Sequence, residues 1–243
     1  SMGVRTIISV DGAMPEVDAA KARGLRYIHL PIGYNGFDAA RKLELTRAVR
    51  DARAEGPVYL HCHHGKHRSA GAAGAVAVSL GWLTPDEGVA RMHISGTAPN
   101  YTGLFACTAE ATLLNPSVID AVPADFPEVS RPGSFVQSMV EMDEVNDHLR
   151  AVERAGWTAP ANHPDLVPVA EAGRLVDLYR FIEQAEESRT HPEAFMALII
   201  RARDEAKALE DLLTEAAPDH AALRAQMQRI QASCKECHAA YRD

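Results

Sequence analysis

His61-Cys62-His63-His64-Gly65-Lys66-His67-Arg68-Ser69 is the stretch that decides how the first half of this chain folds. The apolar run Pro57-Val58-Tyr59-Leu60 leads into it, and a small-residue run from Ala70 to Leu80 leads out. The pattern predicts a strand, a tight loop and a helix. A cysteine closes the strand, and an arginine stands at the sixth position after it, where the helix begins. Amides of a loop entering a helix, together with the helix dipole, form a cradle for an oxyanion. The same field stabilises a thiolate and makes Cys62 a nucleophile near neutral pH. Arg68 can then hold two oxygens of a tetrahedral dianion in one planar fork.

Working outward, Val4 to Val10 is a β-branched run closed by the turn Asp11-Gly12, and Leu25 to Ile32 alternates like a second strand. Helical spacing is expected over Pro15 to Arg23 and over Phe37 to Glu55, the latter stopped by Gly56. This alternation predicts an α/β layer with a mainly parallel sheet flanked by helices, its site at the carboxyl end of a strand. Downstream, Gly71 to Leu80 reads as a small-residue helix. Thr84-Pro85 caps and opens another helix over Asp86 to Met92, and a short helical segment between Asn100 and Leu114 carries Cys107 as a core residue.

With its loop and helix, the run H-C-x5-R-S resembles the signature of the cysteine-dependent tyrosine and dual-specificity protein phosphatases, Gly65 and Ser69 included. The resemblance implies two-step hydrolysis of a phosphoester through a phosphocysteine on Cys62, with no cofactor. Arg68 and the loop residues His63, His64, Gly65, Lys66 and His67 would bind the phosphate, and Ser69 would donate to the departing thiolate. His61 would orient the loop. The resembled enzymes protonate the leaving group from an aspartate about thirty residues upstream, a distance that falls here on Pro31 or Ile32. Asp38 is the catalytic candidate, with helix capping as its competing role, and Asp11 is the second candidate. Three other readings of the stretch stay open: a structural cysteine, a metal site built from His61, His63, His64 and His67, and sulfur transfer of the rhodanese kind.

The 243 residues are 47% hydrophobic and 24% charged, the balance of a globular chain of one large or two ordinary domains. A net charge of −8 leaves no basic surplus to neutralise nucleic-acid phosphates. Nothing approaches the roughly eighteen consecutive apolar residues of a membrane span. Ser1-Met2-Gly3 reads as a tag-cleavage scar, so a removed signal peptide is compatible with this start. The expected partner is a phosphorylated protein or small molecule.

Residues 115–132, with Pro116, Pro123, Pro127 and Pro132, show no helical period and read as a linker or strap. The domains expected are therefore 1–132, resembling the phosphatases, and 133–243, an all-α four-helix bundle. Ser134 would cap the first bundle helix, with Phe135, Met139, Met142, Val145, Leu149 and Val152 on its stripe. Further helices are expected from about Asp165 to Glu187, from Pro192 to about Glu215, and from Asp219 onward. The last carries Leu223, Met227, Ile230, Cys234, Cys237 and Tyr241 on a seam suited to a bundle.

Cys234-Lys235-Glu236-Cys237-His238 fits C-x-x-C-H, the attachment sequence for c-type haem. Its place on the last helix, and the run C-K-E-C-H-A-A-Y-R, resemble the end of cytochrome c′ and its low-spin relatives. The resemblance implies haem c held covalently by Cys234 and Cys237, iron ligated by His238, and Arg242 beside the proximal face. Met139 or Met142 would be the sixth ligand, or simply core. A redox disulfide or a zinc half-site are the motif's other readings. A copy made without the attachment machinery would lack the haem. Attachment implies a periplasmic or exported protein, whereas a reactive Cys62 would be safer in a cytoplasm; bundles of this kind also pair as homodimers. The expected function is a phosphatase fused to a haem bundle that senses or carries electrons. The alternative is a haem protein whose first domain is a weak anion-binding module.

Overall fold

The computed structural model describes residues 3–12, 15–130 and 135–241. Ser134 and Arg242, expected as a helix cap and as a neighbour of the haem, lie outside the described residues. The chain divides into two compact units, Ser1–Arg131 and Pro132–Asp243.

In the first unit three short strands, β1 (Thr6–Ser9), β2 (Arg26–His29) and β3 (Val58–His61), form a parallel sheet in the order β2-β1-β3. Helix α1 (Val17–Lys21) crosses from β1 to β2, and α2 (Ala39–Glu55) carries the chain back past β1 to β3. Ser9 pairs with His29 on one side and with His61 on the other. The β1-to-β2 and β2-to-β3 connections run in opposite directions across the sheet, so a topological switch point lies between the carboxyl ends of β1 and β3, where open α/β sheets place ligands. Ile8, Val10, Ile28, Leu30, Leu45 and Ala52 close the core between sheet and helices.

Helix α3 (Arg68–Ser79) begins at Arg68, where the sequence places the start of the helix, and takes Arg68 and Ser69 into its first turn. Small residues let its neighbours approach closely. A Cβ on Gly74 or Gly88 would meet Thr108 Cγ2 at 2.9 and 2.8 Å, so α4 (Pro85–Ile94) and α5 (Thr102–Ala109) pack tightly on α3. The Thr84–Glu87 capping box fixes the start of α4.

Residues 115–132 do hold a helix, contrary to the expectation of an aperiodic stretch. The chain forms α6 (Pro116–Asp120), opened by Asn115 Oδ1 accepting from Ser117 N. Five residues are too few to show a hydrophobic period, so tertiary contacts decide the matter. Ile119 is buried, and Arg47 of α2 donates to the carbonyls of Ile119, Asp120 and Val122. The chain then runs along the outer edge of β2, where His29 N donates to Pro127 O and Lys21 pairs with Glu128. This strap satisfies the backbone of an otherwise open edge strand.

His29 joins the strap to the sheet. Its Nδ1 accepts from Ser130 N at 3.1 Å, so Nε2 carries the proton and donates to Asp11 O at 2.8 Å. Burial pushes the ring's pKa below its ordinary value of 6.5. The unfolded chain takes up this proton near pH ~6.5 and the folded chain only at lower pH. Stability is therefore expected to fall as pH drops from about 6.5 toward the ring's lowered pKa, and to be insensitive to His29 above it. Urea unfolding of the native chain and of His29→Gln across that window measures the effect, and the variant should show the smaller dependence.

The second unit has four long helices among the described residues: α7 (Phe135–Arg154), α8 (Pro168–Gln184), α9 (Glu193–Thr214) and α10 (His220–Tyr241). Each packs on the next in chain order. Val145, Leu149 and Val152 on α7 and Leu223, Met227 and Ile230 on α10 are buried along the stripes that their spacing predicts. A 3-10 turn at Glu187–Thr190 joins α8 to α9, its Ser188 hydroxyl donating to Ile182 O.

Candidate functional site

Cys62 leaves the end of β3 and is 5% exposed, and its Sγ donates to Ser69 Oγ at 3.3 Å. Gly65 turns the loop at φ +71°, a left-handed conformation that side chains other than glycine rarely adopt. His67 and Arg68 are buried, whereas His63, Gly65 and Lys66 are exposed and His64 is half-buried. The connection between α4 and α5 braces the loop from outside. Thr97 Oγ1 donates to Lys66 O at 2.6 Å, and Ala98 N donates to His67 Nδ1 at 3.3 Å.

Arg68 is 1% exposed. Its Nη2 donates to Asp11 Oδ1 at 2.9 Å and to Tyr34 Oη at 2.8 Å, with the guanidinium carbon 3.9 Å from the Tyr34 ring centroid. Asp11 follows β1 and accepts also from Gly12 N. Val10 N donates to His61 O, which brings the ends of β1 and β3 together. Asp11 and Cys62 therefore flank the switch point of the sheet. Removing one partner of a buried ion pair leaves the other charge uncompensated, at a cost of about 3–5 kcal/mol. Asp11→Ala is accordingly expected to lower the unfolding free energy of the first unit by that order, read from chemical denaturation.

Asp38, the leading candidate for the leaving-group acid, is exposed and caps α2. Its Oδ1 accepts from Arg41 N at 2.7 Å, and no described contact joins it to Cys62 or Arg68. The capping role prevails because an extended residue before a helix puts its carboxylate onto the first free amides. Asp11, the second candidate, is the carboxylate that meets Arg68.

Tyr34 and Tyr101 are the site residues that sequence reasoning missed. Tyr34 stacks on Tyr101 (5.5 Å between centroids), and Tyr101 lies against His67 (4.4 Å). The Gly33–Gly36 loop reaches this position because glycines let it touch α5. A Cβ on Gly103 would fall 2.0 Å from Asn35 O, and one on Gly36 would fall 2.9 Å from Gly103 O. Cys107, expected in the core, is half-buried and pins the same loop, its Sγ accepting from Phe37 N and donating to Phe37 O. The doubled glycines of Gly33-Tyr34-Asn35-Gly36 were the available signal, since two glycines in one turn mark close backbone approach.

His61 Nε2 lies 3.0 Å from Tyr27 Oη, so His61 is anchored toward the sheet. Among the described residues no group of three or more His, Cys, Asp or Glu side chains is placed to hold a metal ion.

On α10, Cys234 and Cys237 lie one turn apart on the same side, both half-buried and both free thiols. Cys234 Sγ is 3.5 Å from the Tyr179 hydroxyl of α8. Burial, then the neighbouring Cys234, raises Tyr179 well above the ordinary phenol range, and burial also pushes the Cys237 thiol up. His238 is exposed. Beside this turn Phe195 stacks on His191 (4.3 Å) and meets Tyr241 edge-on (5.3 Å), with Phe135 6.3 Å away. Two reduced thiols on one face, an accessible imidazole next to them and an aromatic neighbourhood form a donor set that fits a covalently held haem. Met142 is buried and Met139 half-buried on α7. No described contact joins either to the thiols.

The family model described as Cytochrome C' matches residues 185–242, the part of the chain that holds α9, α10 and both thiols. No curated protein matches the chain significantly. Two solved structures of TpbA from P. aeruginosa, one of them a variant in complex with pTyr, share 22% identity with it. They cover 44% of this chain and 74% of theirs, with TM-scores of 0.36 and 0.35.

Proposed function

We propose that the first unit hydrolyses phosphate monoesters through a phosphocysteine on Cys62, and that the second unit holds c-type haem on Cys234 and Cys237. The observation carrying the first half is the convergence at one switch point of a buried cysteine with Ser69 on its sulfur and a guanidinium held by Asp11. The sulfur attacks phosphorus, and the loop amides and Arg68 match the charge that builds on the equatorial oxygens. Ser69, which accepts from the thiol at rest, can donate to the thiolate when water releases phosphate. Asp11 acts through Arg68, fixing the guanidinium at the crevice.

The haem would supply electron transfer or binding of a small diatomic ligand. On this chain Cys234 and Cys237 would hold it, and His238, next to them on α10, would be the imidazole offered to the iron. Covalent attachment makes export the compartment that fits. A second reading has one observation in its favour: Nη2 of Arg68 already serves Asp11 and Tyr34, as suits a module that binds anions without turning them over. Phosphate release from an aryl phosphate by the purified chain, inhibited competitively by vanadate, is the expected result. Release no faster than in buffer would leave the anion-binding reading.

A further inference from the structure

A buried imidazole with both ring nitrogens in use fixes whatever it touches, because turning the ring breaks two hydrogen bonds where no water replaces them. His29 is such a ring, 0% exposed at the end of β2. The strap holds it from outside the sheet: His29 N donates to Pro127 O at 2.9 Å, and Ser130 N donates to Nδ1 at 3.1 Å. An accepting Nδ1 leaves the proton on Nε2, so the strap also fixes which way the ring donates. Nε2 donates to Asp11 O at 2.8 Å. At the other end of the same residue Asp11 N donates to Ser9 Oγ at 3.3 Å. With its amide and its carbonyl both held, Asp11 has little freedom to rotate. Its carboxylate is thereby aimed where Oδ1 accepts from Gly12 N and from Arg68 Nη2.

We propose that His29 is a positioning residue of the anion site: its Nε2–H holds the Asp11 turn, and through Asp11 it sets the Arg68 guanidinium for an incoming phosphate. The assignment rests on the reading of the Cys62 loop as a phosphate cradle. It gives the strap a part in binding. Pro127 and Ser130 lie along the edge of β2 away from β1, and they still reach Arg68 through one ring and one carboxylate. Tyr34 Oη also accepts from Arg68 Nη2, so loss of the ring's bond to Asp11 should loosen the guanidinium without freeing it.

The test is a pair of substitutions that each keep one of the ring's two bonds. In His29→Asn the side-chain oxygen takes the place of Nδ1 and accepts from Ser130 N, but no donor reaches Asp11 O. In His29→Gln the amide nitrogen takes the place of Nε2 and donates to Asp11 O, but the acceptor for Ser130 N is gone. Each variant loses one buried hydrogen bond, so their unfolding free energies should fall alike. Calorimetry with inorganic phosphate should tell them apart. The Kd is expected to rise about tenfold in His29→Asn, the factor one ordinary hydrogen bond corresponds to, and by less than about threefold in His29→Gln. Equal weakening in both, which a purely structural role gives, overturns the proposal, as does unchanged binding in His29→Asn. A measurement on the native chain stands whether or not the variants fold. The Nε2–H proton resonance of His29 should move on saturation with phosphate, because the anion competes with Asp11 for the guanidinium, and a stationary resonance overturns the proposal. A native chain that takes up no phosphate defeats the cradle reading and the proposal together. Phosphate bound by the native chain with no difference between the two variants defeats the proposal alone.

Discussion

Cys62→Ser is expected to lower turnover of an aryl phosphate by at least about 10³-fold, because a serine hydroxyl is scarcely ionised at neutral pH where a cradled thiol supplies a nucleophile. The effect should be confined to chemistry. Cys62 is buried and donates to Ser69 Oγ, and a serine hydroxyl can donate to the same acceptor, so stability should shift by no more than about 1 kcal/mol. Inorganic phosphate should still protect the variant against thermal unfolding, since the loop and Arg68 are untouched. Parallel steady-state kinetics and thermal melts with and without phosphate read both quantities. Undiminished turnover in the variant would remove Cys62 from the mechanism.

The second large effect belongs to the other unit. When the chain is made with haem-attachment machinery, a haem-stained band is expected to survive denaturation. In the Cys234→Ala/Cys237→Ala double variant it should vanish, because the thioether bonds are what keep the group on an unfolded chain. The single variants should keep a weaker band through the remaining sulfur. The thiols are suited to wait for the haem. Burial holds Cys237 protonated at neutral pH, and a low thiolate fraction slows disulfide formation. A native chain that shows no such band under these conditions would sink the haem assignment and leave a dithiol in its place.

The layered first unit was legible because its signals are local. Val58 to Leu60 is too short and too apolar for a surface helix, Gly56 and Gly65 punctuate it, and Arg68 sits where a loop must become a helix. The four bundle helices were legible for the same reason: their buried stripes repeat over several turns, and Leu223, Met227 and Ile230 are buried where spacing put them. Helix α6 was not, since one turn of helix between prolines has no period to read. Its stability comes from Arg47, contributed by a helix some seventy residues earlier in the chain.

The amino-acid order by itself determined the loop cysteine, the arginine six residues after it, the strand-loop-helix that presents them, and the paired thiols followed by histidine on a last amphipathic helix. Each of these depends on residues within a few positions of one another. Only the tertiary structure decided which side chains meet Arg68. The choice of Asp11 over Asp38 follows from strand order: β1 lies beside β3 in the sheet, so the turn after β1 opens onto the crevice, while Asp38 is spent on the amides of α2. Tyr34 arrives by a contact between glycines of a loop and of α5, separated by about seventy residues, and no spacing rule reaches that far.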